Sequence, residues 1–155
     1  MYPEFDALLF ELLDVAQHCR KLIERCGGDI PLTLPACRAL LLVATCQGLS
    51  QRQLAALADV HPAKLVRVLD GLEKRGWIQR VSDPNDRRAR RIFLAARAEP
   101  LVSRIRTAIR STTTDALRDV PEEERASMLR NLGQMRRNLA AEAPEMGQSP
   151  QGPRK

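Results

Sequence analysis

Two short helical segments joined by three residues constrain the fold of this chain more than any other feature. The first begins with a capping box at residues 50–53, SQRQ, in which a serine and a glutamine can satisfy each other's free backbone amides. Residues 59–61 form the connection, Pro62 suits the first turn of the second helix, and Gly76 supplies a left-handed cap at its end. This arrangement predicts a helix-turn-helix.

The residues after Gly76 predict a β-hairpin. Residues 77–81 and 91–94 indicate two short strands, and residues 83–85 between them, DPN, have turn chemistry. The tip of the hairpin is the stretch 82–92, SDPNDRRARRI, which holds four arginines, two aspartates and no lysine. A solvated charge run is the simplest interpretation of such a stretch, so its position in the fold must decide whether it binds anything.

Longer helices flank this central part. Residues 5–23 repeat apolar side chains at helical spacing, and Thr33 can cap a second helix that ends before Gly48. Helical patterns return at 97–118 and 122–141. At 155 residues the chain is expected to be one domain, and with no signal or membrane segment in the sequence we expect a cytoplasmic protein with no membrane partner.

Positive charge is concentrated in one segment. Residues 61–97 contain ten Lys and Arg against four acids, whereas the rest of the chain carries 15 basic and 15 acidic residues. The net charge of +6 therefore lies in 37 residues, which indicates a binding surface for a polyanion such as nucleic acid. On the second helix of the motif, Lys64, Arg67 and Lys74 form a basic stripe beside a separate stripe of leucines that can pack on a core.

These features together predict a mainly α protein with a winged helix-turn-helix, in which a recognition helix enters the major groove and the hairpin forms a wing at an adjacent minor groove. Arginine suits a narrow minor groove because its guanidinium is less strongly hydrated than an ammonium group. Double-stranded DNA is therefore the expected partner.

The stretch SQRQLAALADVHPAKLVRVLDGLEKRGWIQRVSDPNDRRARRIFLAARAEPLV resembles the core of the MarR/SlyA family of bacterial transcription regulators. Its most specific parts are LVRVLDGLEKRGWIQR and DPNDRRARRIFLA, and a weaker resemblance covers about residues 5–140. The resemblance implies a homodimer in which residues 1–34 and 97–142 form a helical dimerisation region, residues 35–96 a winged helix-turn-helix domain, and residues 143–155 a disordered tail.

The resemblance also assigns roles to single residues. In the family, the aspartate and the second arginine of the wing motif form a pair whose arginine enters the minor groove, and they correspond here to Asp86 and Arg88. Lys64 and Arg67 correspond to recognition-helix contacts. The whole set of expected DNA-binding residues is Ser50, Gln51, His61, Pro62, Ala63, Lys64, Arg67, Lys74, Asp86, Arg87, Arg88 and Arg90.

Three positions depart from the family pattern. Lys64 stands where the family often has Ser or Thr, which affects base preference. Ala95 replaces the usual capping Thr after the second wing strand, so the next helix is expected to start late or fray. Gly71 lies inside the recognition helix, where glycine costs about 1 kcal/mol relative to alanine.

Other chemistries find little support in the sequence. It has no Gly-rich phosphate loop and no metal-ligand cluster, and His18 and His61 are its only imidazoles, so we expect no enzyme, metal or cofactor. His61 is expected to cap the recognition helix or contact phosphate, and His18 to lie on a surface or interface. Five aromatic residues are few for a protein that stacks single-stranded bases, so an RNA or non-specific nucleic-acid binder is kept only as an alternative.

The cysteine spacing and the family resemblance together limit the kinds of signal that we expect the protein to sense. The four cysteines lie seven, eleven and nine residues apart, which matches no zinc or CxxC spacing, and we interpret them as buried small apolar residues. The expected function is a sequence-specific DNA-binding regulator on a pseudo-palindromic operator. The resemblance implies a repressor relieved by a small aromatic or phenolic ligand of the kind the family commonly binds, and the sequence leaves open a regulator without a ligand and an activator. A cysteine-based redox sensor of the same fold is the alternative.

Overall fold

The computed structural model describes residues 4–25, 32–84, 86 and 89–142. The elements follow one another in this order: α1 (Glu4–Arg25), α2 (Leu34–Thr45), β1 (Leu49–Ser50), α3 (Gln51–Ala58), α4 (Pro62–Lys74), β2 (Ile78–Ser82), β3 (Arg90–Leu94), α5 (Glu99–Ala116) and α6 (Glu122–Glu142). The mainly helical winged helix-turn-helix that the sequence predicts is confirmed, and the predicted tail from residue 143 lies outside the described residues.

The helix-turn-helix is held by the caps that its sequence contains. Gln53 N donates to Ser50 Oγ at 3.2 Å, and Ser50 N donates to Gln53 Oε1 at 2.9 Å, which completes the capping box of α3. Asp59 ends α3 in the left-handed conformation with φ of 52°. His61 then caps α4, since its Nδ1 accepts from Ala63 N at 3.3 Å. The three-residue connection is therefore fixed at both of its ends.

The two strands that follow α4 form a three-stranded antiparallel sheet with β1, in the order β1-β3-β2. The strands β2 and β3 pair from Ile78 with Leu94 to Ser82 with Arg90, and this hairpin is the wing. The sequence does not predict β1, because two residues are too few to show an alternating pattern. Gly48 N donates to Ile92 O at 2.9 Å and continues the β1 pairing with β3.

One hydrophobic core joins α2, α3, α4, the sheet and α5. Its largest fully buried side chains include Leu40, Leu54, Leu65, Leu69, Leu72, Ile92 and Ile105. Each such side chain contributes about 1.5–3 kcal/mol when it leaves water. Three of these leucines lie on α4, so burial of one stripe of that helix determines which of its side chains face solvent.

The helix after the wing starts late, as the alanine at its cap predicts. Ala95 makes no side-chain capping hydrogen bond, and a short 3₁₀ turn at Ala96–Ala98 precedes α5, which begins at Glu99. An alanine side chain has no oxygen that could accept a hydrogen bond from the free backbone amides of a first helical turn. The 3₁₀ turn, with its i to i+3 hydrogen bonds, satisfies backbone groups there instead.

The interpretation of the cysteines as buried residues is wrong for one of them. Cys37 is buried on α2, whereas Cys19 on α1 is half-buried and Cys46 is exposed. Cys46 is exposed because it is the residue that ends α2, at the point where the chain leaves the core for the turn before β1. Cys26 lies outside the described residues.

Large apolar side chains remain exposed on two helices. On α1, Leu9 is 55%, Leu13 56% and Val15 56% exposed. On α6, which belongs to the compact unit Thr114–Lys155, Leu129 is 75% and Leu139 67% exposed. Exposed apolar faces of this kind mark sites of association.

Two glycines predict opposite effects of the same substitution on stability. At Gly71, inside α4, an added Cβ meets no heavy atom within 4 Å, so Gly71→Ala should raise the free energy of unfolding by about 0.5–1 kcal/mol. At Gly76, φ is +68° and an added Cβ would lie 3.2 Å from Arg97 Nη1. Gly76→Ala should therefore lower the free energy of unfolding by about 1–2 kcal/mol. Urea denaturation of both variants tests this, and shifts in the same direction would contradict the described conformations.

Candidate nucleic-acid interface

The helix α4 presents a basic stripe to solvent. Its buried leucines occupy one side, and the exposed Lys64, Arg67 and Lys74 lie together on another, at the spacing of a helix with 3.6 residues per turn. Among the described residues, none of these three side chains forms a hydrogen bond or ion pair. The predicted recognition-helix cations are thus brought together and are available to an anionic partner.

The two acids on α4 share one arginine of the wing. Arg80 of β2 donates from Nη1 to Asp70 Oδ1 at 2.7 Å and to Glu73 Oε2 at 3.1 Å. Its Nη2 lies 3.4 Å from Val66 O, and Glu73 Oε1 also accepts from Arg80 N at 3.3 Å. The Arg80 side chain is only 18% exposed, and this contact joins α4 to the hairpin.

Arg80 was not among the residues singled out from the sequence, where it counts only toward the basic surplus. The signal that could have identified it is the pair Asp70 and Glu73, three residues apart on one helix. Two acids on a helix that carries a basic stripe require a cation nearby. The Arg80 Nε atom is buried and has no hydrogen-bond partner in the described part of the chain.

The predicted residues at the two helix N-termini take different roles. Ser50 uses its hydroxyl in the capping box, and Gln51 is the first residue of α3. His61, Pro62 and Ala63 are exposed at the start of α4. Because His61 Nδ1 accepts a hydrogen bond, the neutral imidazole carries its proton on Nε2, which can donate to a phosphate oxygen.

The wing is closed by contacts near its tip. Arg91 Nε donates to Asp83 Oδ2 at 2.7 Å, and Asp83 N donates to Ala89 O at 3.0 Å. Asp86 and Arg90 are exposed. Arg87 and Arg88 lie outside the described residues, so the pairing of Asp86 with Arg88 stays a prediction.

A cavity of about 1000 Å³ lies between α1, the beginning of α2 and α4. Among the described residues, five cations and one acid, Glu24, line it; the cations are Arg20, Lys64, Arg67, Lys74 and Arg75. Leu34, Pro35, Val68 and Leu72 add an apolar wall. The family resemblance implies a cleft between the dimerisation helices and the winged helix-turn-helix, but the sequence did not predict which residues line it, because they lie on three separate helices.

Other chemistry is not evident in the described residues. They contain no group of three or more His, Cys, Asp or Glu placed to hold a metal ion. Within the same residues, no helix has the length and apolar character that crossing a membrane requires.

Comparison with known proteins identifies the fold and gives a family match for part of the chain. A model of the MarR family matches residues 32–89. A crystal structure of MarR is 29% identical, with 88% of this chain and 96% of that one covered and a TM-score of 0.65. The repressor CouR bound to a 23-mer DNA duplex is 25% identical, with 85% and 94% covered and a TM-score of 0.71. CouR from Rhodococcus jostii RHA1 bound to p-coumaroyl-CoA is 22% identical, with 87% and 95% covered and a TM-score of 0.75.

The matched residues extend from the start of α2 to the wing turn, so the match covers the helices and strands that present the basic stripe. The fold that this chain shares with MarR and with CouR extends over most of each chain compared. Residues 32–89 are therefore similar to the MarR family, and the fold is that of the MarR and CouR structures.

Proposed function

We propose that this protein is a homodimeric repressor that binds a pseudo-palindromic operator in double-stranded DNA in the cytoplasm. The observation that carries the proposal is the stripe of Lys64, Arg67 and Lys74, three exposed cations held by a helix whose leucines are buried. Because the core fixes the helix, these cations enter a major groove as one set. CouR, which shares this fold, has been crystallised on a DNA duplex.

The capped start of α4 completes the major-groove surface. His61, Pro62 and Ala63 lie there, and a helix N-terminus that carries a cap is suited to a phosphate. The wing supplies the second contact: Arg90, with Arg87 and Arg88 at its tip, enters the adjacent minor groove, and Asp86 supports Arg88.

Dimerisation uses the exposed apolar faces of α1 and α6. Both helices carry leucines that are at least half exposed. These side chains become buried only if another chain, or another part of this chain, packs on them. A two-fold dimer places two recognition helices in successive major grooves, with half-sites about 10 bp apart.

The cavity beside α4 is the proposed site of a small aromatic or phenolic anion that relieves repression. Its apolar wall suits a ring, and its five cations suit a carboxylate or phenolate. CouR from Rhodococcus jostii RHA1, with the same fold, binds p-coumaroyl-CoA, an aromatic acyl thioester with phosphates.

The function is tested by selecting bound sites from a random pool of DNA duplexes and comparing the selected duplex with single strands of equal length. The proposal expects one palindromic motif and stronger binding to the duplex. Equal affinity for duplex and single strands would instead support a non-specific nucleic-acid binder.

Arg67→Ala should weaken binding to the selected duplex by about 1–3 kcal/mol, because the variant loses a base or phosphate contact in each half-site. Arg110→Ala is the matched control, since Arg110 is an exposed arginine on α5, outside the proposed DNA-binding surface. Fluorescence anisotropy at two salt concentrations measures both variants. If both variants lost the same amount of binding free energy, only the total charge of the protein would matter for DNA binding.

Arg80→Met should weaken DNA binding by about tenfold or more, because it leaves Asp70 and Glu73 unneutralised and frees α4 from the wing. Adding Asp70→Asn and Glu73→Gln to this variant removes the two charges again. If Arg80 positions the helix, the triple variant stays weaker than the parent protein. If the triple variant instead binds DNA as tightly as the parent protein, Arg80 acts only through its charge.

Leu129→Glu combined with Leu132→Glu should convert the dimer to monomers and reduce operator binding at the same protein concentration, because two carboxylates cannot be buried in an apolar interface. Gln134→Glu combined with Asn138→Glu is the control, since it adds the same two charges at exposed polar positions of α6. Sedimentation equilibrium gives the oligomeric state, and circular dichroism verifies that the helices are kept. A dimer that survives the double substitution would contradict the assignment of α6.

A further inference from the structure

The helix α4 carries an exposed acid beside its cations. Asp70 comes three residues after Arg67 and four residues before Lys74, so helical spacing places the three side chains on one side of α4. The buried leucines of α4 lie on another side. The Asp70 side chain is 56% exposed. A carboxylate is therefore part of the surface that the proposed function assigns to DNA.

An acid at this position is unfavourable for a surface that contacts only phosphates. A carboxylate repels the phosphate backbone and weakens the attraction that the neighbouring cations exert on DNA. Arg80 does not cancel this repulsion, because its single positive charge is shared between Asp70 and Glu73. Two roles of Asp70 could offset the cost: it could hold Arg80 in place, or it could make a contact with DNA that requires a hydrogen-bond acceptor.

The hydrogen bonds of the two acids distinguish these roles. Glu73 uses both carboxylate oxygens within the protein, since Oε2 accepts from Arg80 Nη1 at 3.1 Å and Oε1 accepts from Arg80 N at 3.3 Å. Asp70 uses only Oδ1, which accepts from Arg80 Nη1 at 2.7 Å. Among the described residues, Asp70 Oδ2 has no hydrogen-bond partner. Glu73 therefore joins α4 to the wing with both oxygens, whereas Asp70 keeps one oxygen available to a ligand.

Arg80 restricts the direction in which the second oxygen of Asp70 can point. The short hydrogen bond to Oδ1 limits rotation of the carboxylate, and the Arg80 side chain is itself only 18% exposed. A group that is oriented before binding loses less conformational freedom when its ligand arrives. Because an ionised carboxylate accepts hydrogen bonds and cannot donate them, Oδ2 is suited to a donor group.

In the major groove, donor groups belong to the bases. Phosphate oxygens are acceptors, whereas cytosine presents its N4 amino group and adenine its N6 amino group. A carboxylate matches cytosine better, because the N7 acceptor of adenine lies beside the amino group and repels the second oxygen. We infer that Asp70 accepts a hydrogen bond from the N4 amino group of a cytosine and thereby determines one base of each half-site. This inference rests on the proposed function and adds a residue that determines its sequence preference.

The test compares the base preferences of Asp70→Asn, Glu73→Gln and the parent protein. Each variant removes one negative charge from α4 with little change in size, and each leaves Arg80 one carboxylate partner. In the duplex selected from a random pool, each base pair is replaced in turn in both half-sites, and the Kd for the replaced duplex is divided by the Kd for the original one. Both duplexes carry the same number of phosphates, so this ratio does not respond to the total charge of the protein.

The parent protein should bind about tenfold less tightly when one particular C·G pair of each half-site becomes T·A, because thymine presents an acceptor where cytosine presents its amino group. Glu73→Gln should keep this ratio. Asp70→Asn should bring the ratio close to one, and it should weaken binding to the original duplex although it removes a negative charge. Charge alone predicts tighter binding for both variants.

A second measurement uses only the parent protein, so it does not depend on the folding of a variant. N4-methylcytosine at the same position still pairs with guanine, but its methyl group replaces the amino hydrogen that faces the major groove. This duplex should bind the parent about tenfold less tightly than the original duplex, because the hydrogen that Asp70 Oδ2 would accept is absent.

Three results would overturn the inference while the parent still selects a duplex, so that the proposed function stands. One is an Asp70→Asn variant with the base preferences of the parent, which would leave Asp70 only as a partner of Arg80. Another is a preference that Asp70→Asn loses at an A·T pair instead of a C·G pair. The third is a parent protein that binds the N4-methylcytosine duplex as tightly as the original. A parent that binds no duplex would refute the proposed function and the inference together.

Discussion

The Arg80 guanidinium is the contact on which the arrangement of the DNA-binding lobe depends. It belongs to the wing, and both of its carboxylate partners belong to α4. A surface ion pair contributes little to stability, so the value of this contact lies in geometry and charge. It joins α4 to the hairpin, and its positive charge offsets one of the two negative charges on a helix whose other charges are positive.

Most of the fold follows from short-range chemistry in the sequence. The capping box at Ser50, the cap at Thr33, the glycine at the end of α4 and the uncapped Ala95 each act within one helical turn, and all of them are present in the structure. The leucine stripe of α4 is equally local, because helical periodicity alone places its side chains on one side. The exposed stripe of the candidate site could be predicted for the same reason.

Features that depend on contacts between distant parts of the chain could not be predicted. Strand β1 exists because β3 lies beside it, and nothing in two residues indicates that pairing. The partners of Arg80 and the lining of the cavity depend on how helices pack, which the periodicity of a single helix does not determine. Cys46 was misinterpreted because composition favours buried cysteine, whereas its position at the end of α2 makes it exposed.

The open space at Gly71 has an evolutionary consequence. The position borders the cavity, yet it lies outside the leucine core and is separate from the residues of the proposed DNA-binding stripe. A single codon change there introduces a side chain that alters the volume and polarity of the cavity while the packing beneath α4 stays intact. In evolution the lining of the cavity can therefore change at this position while the leucine core beneath α4 is kept.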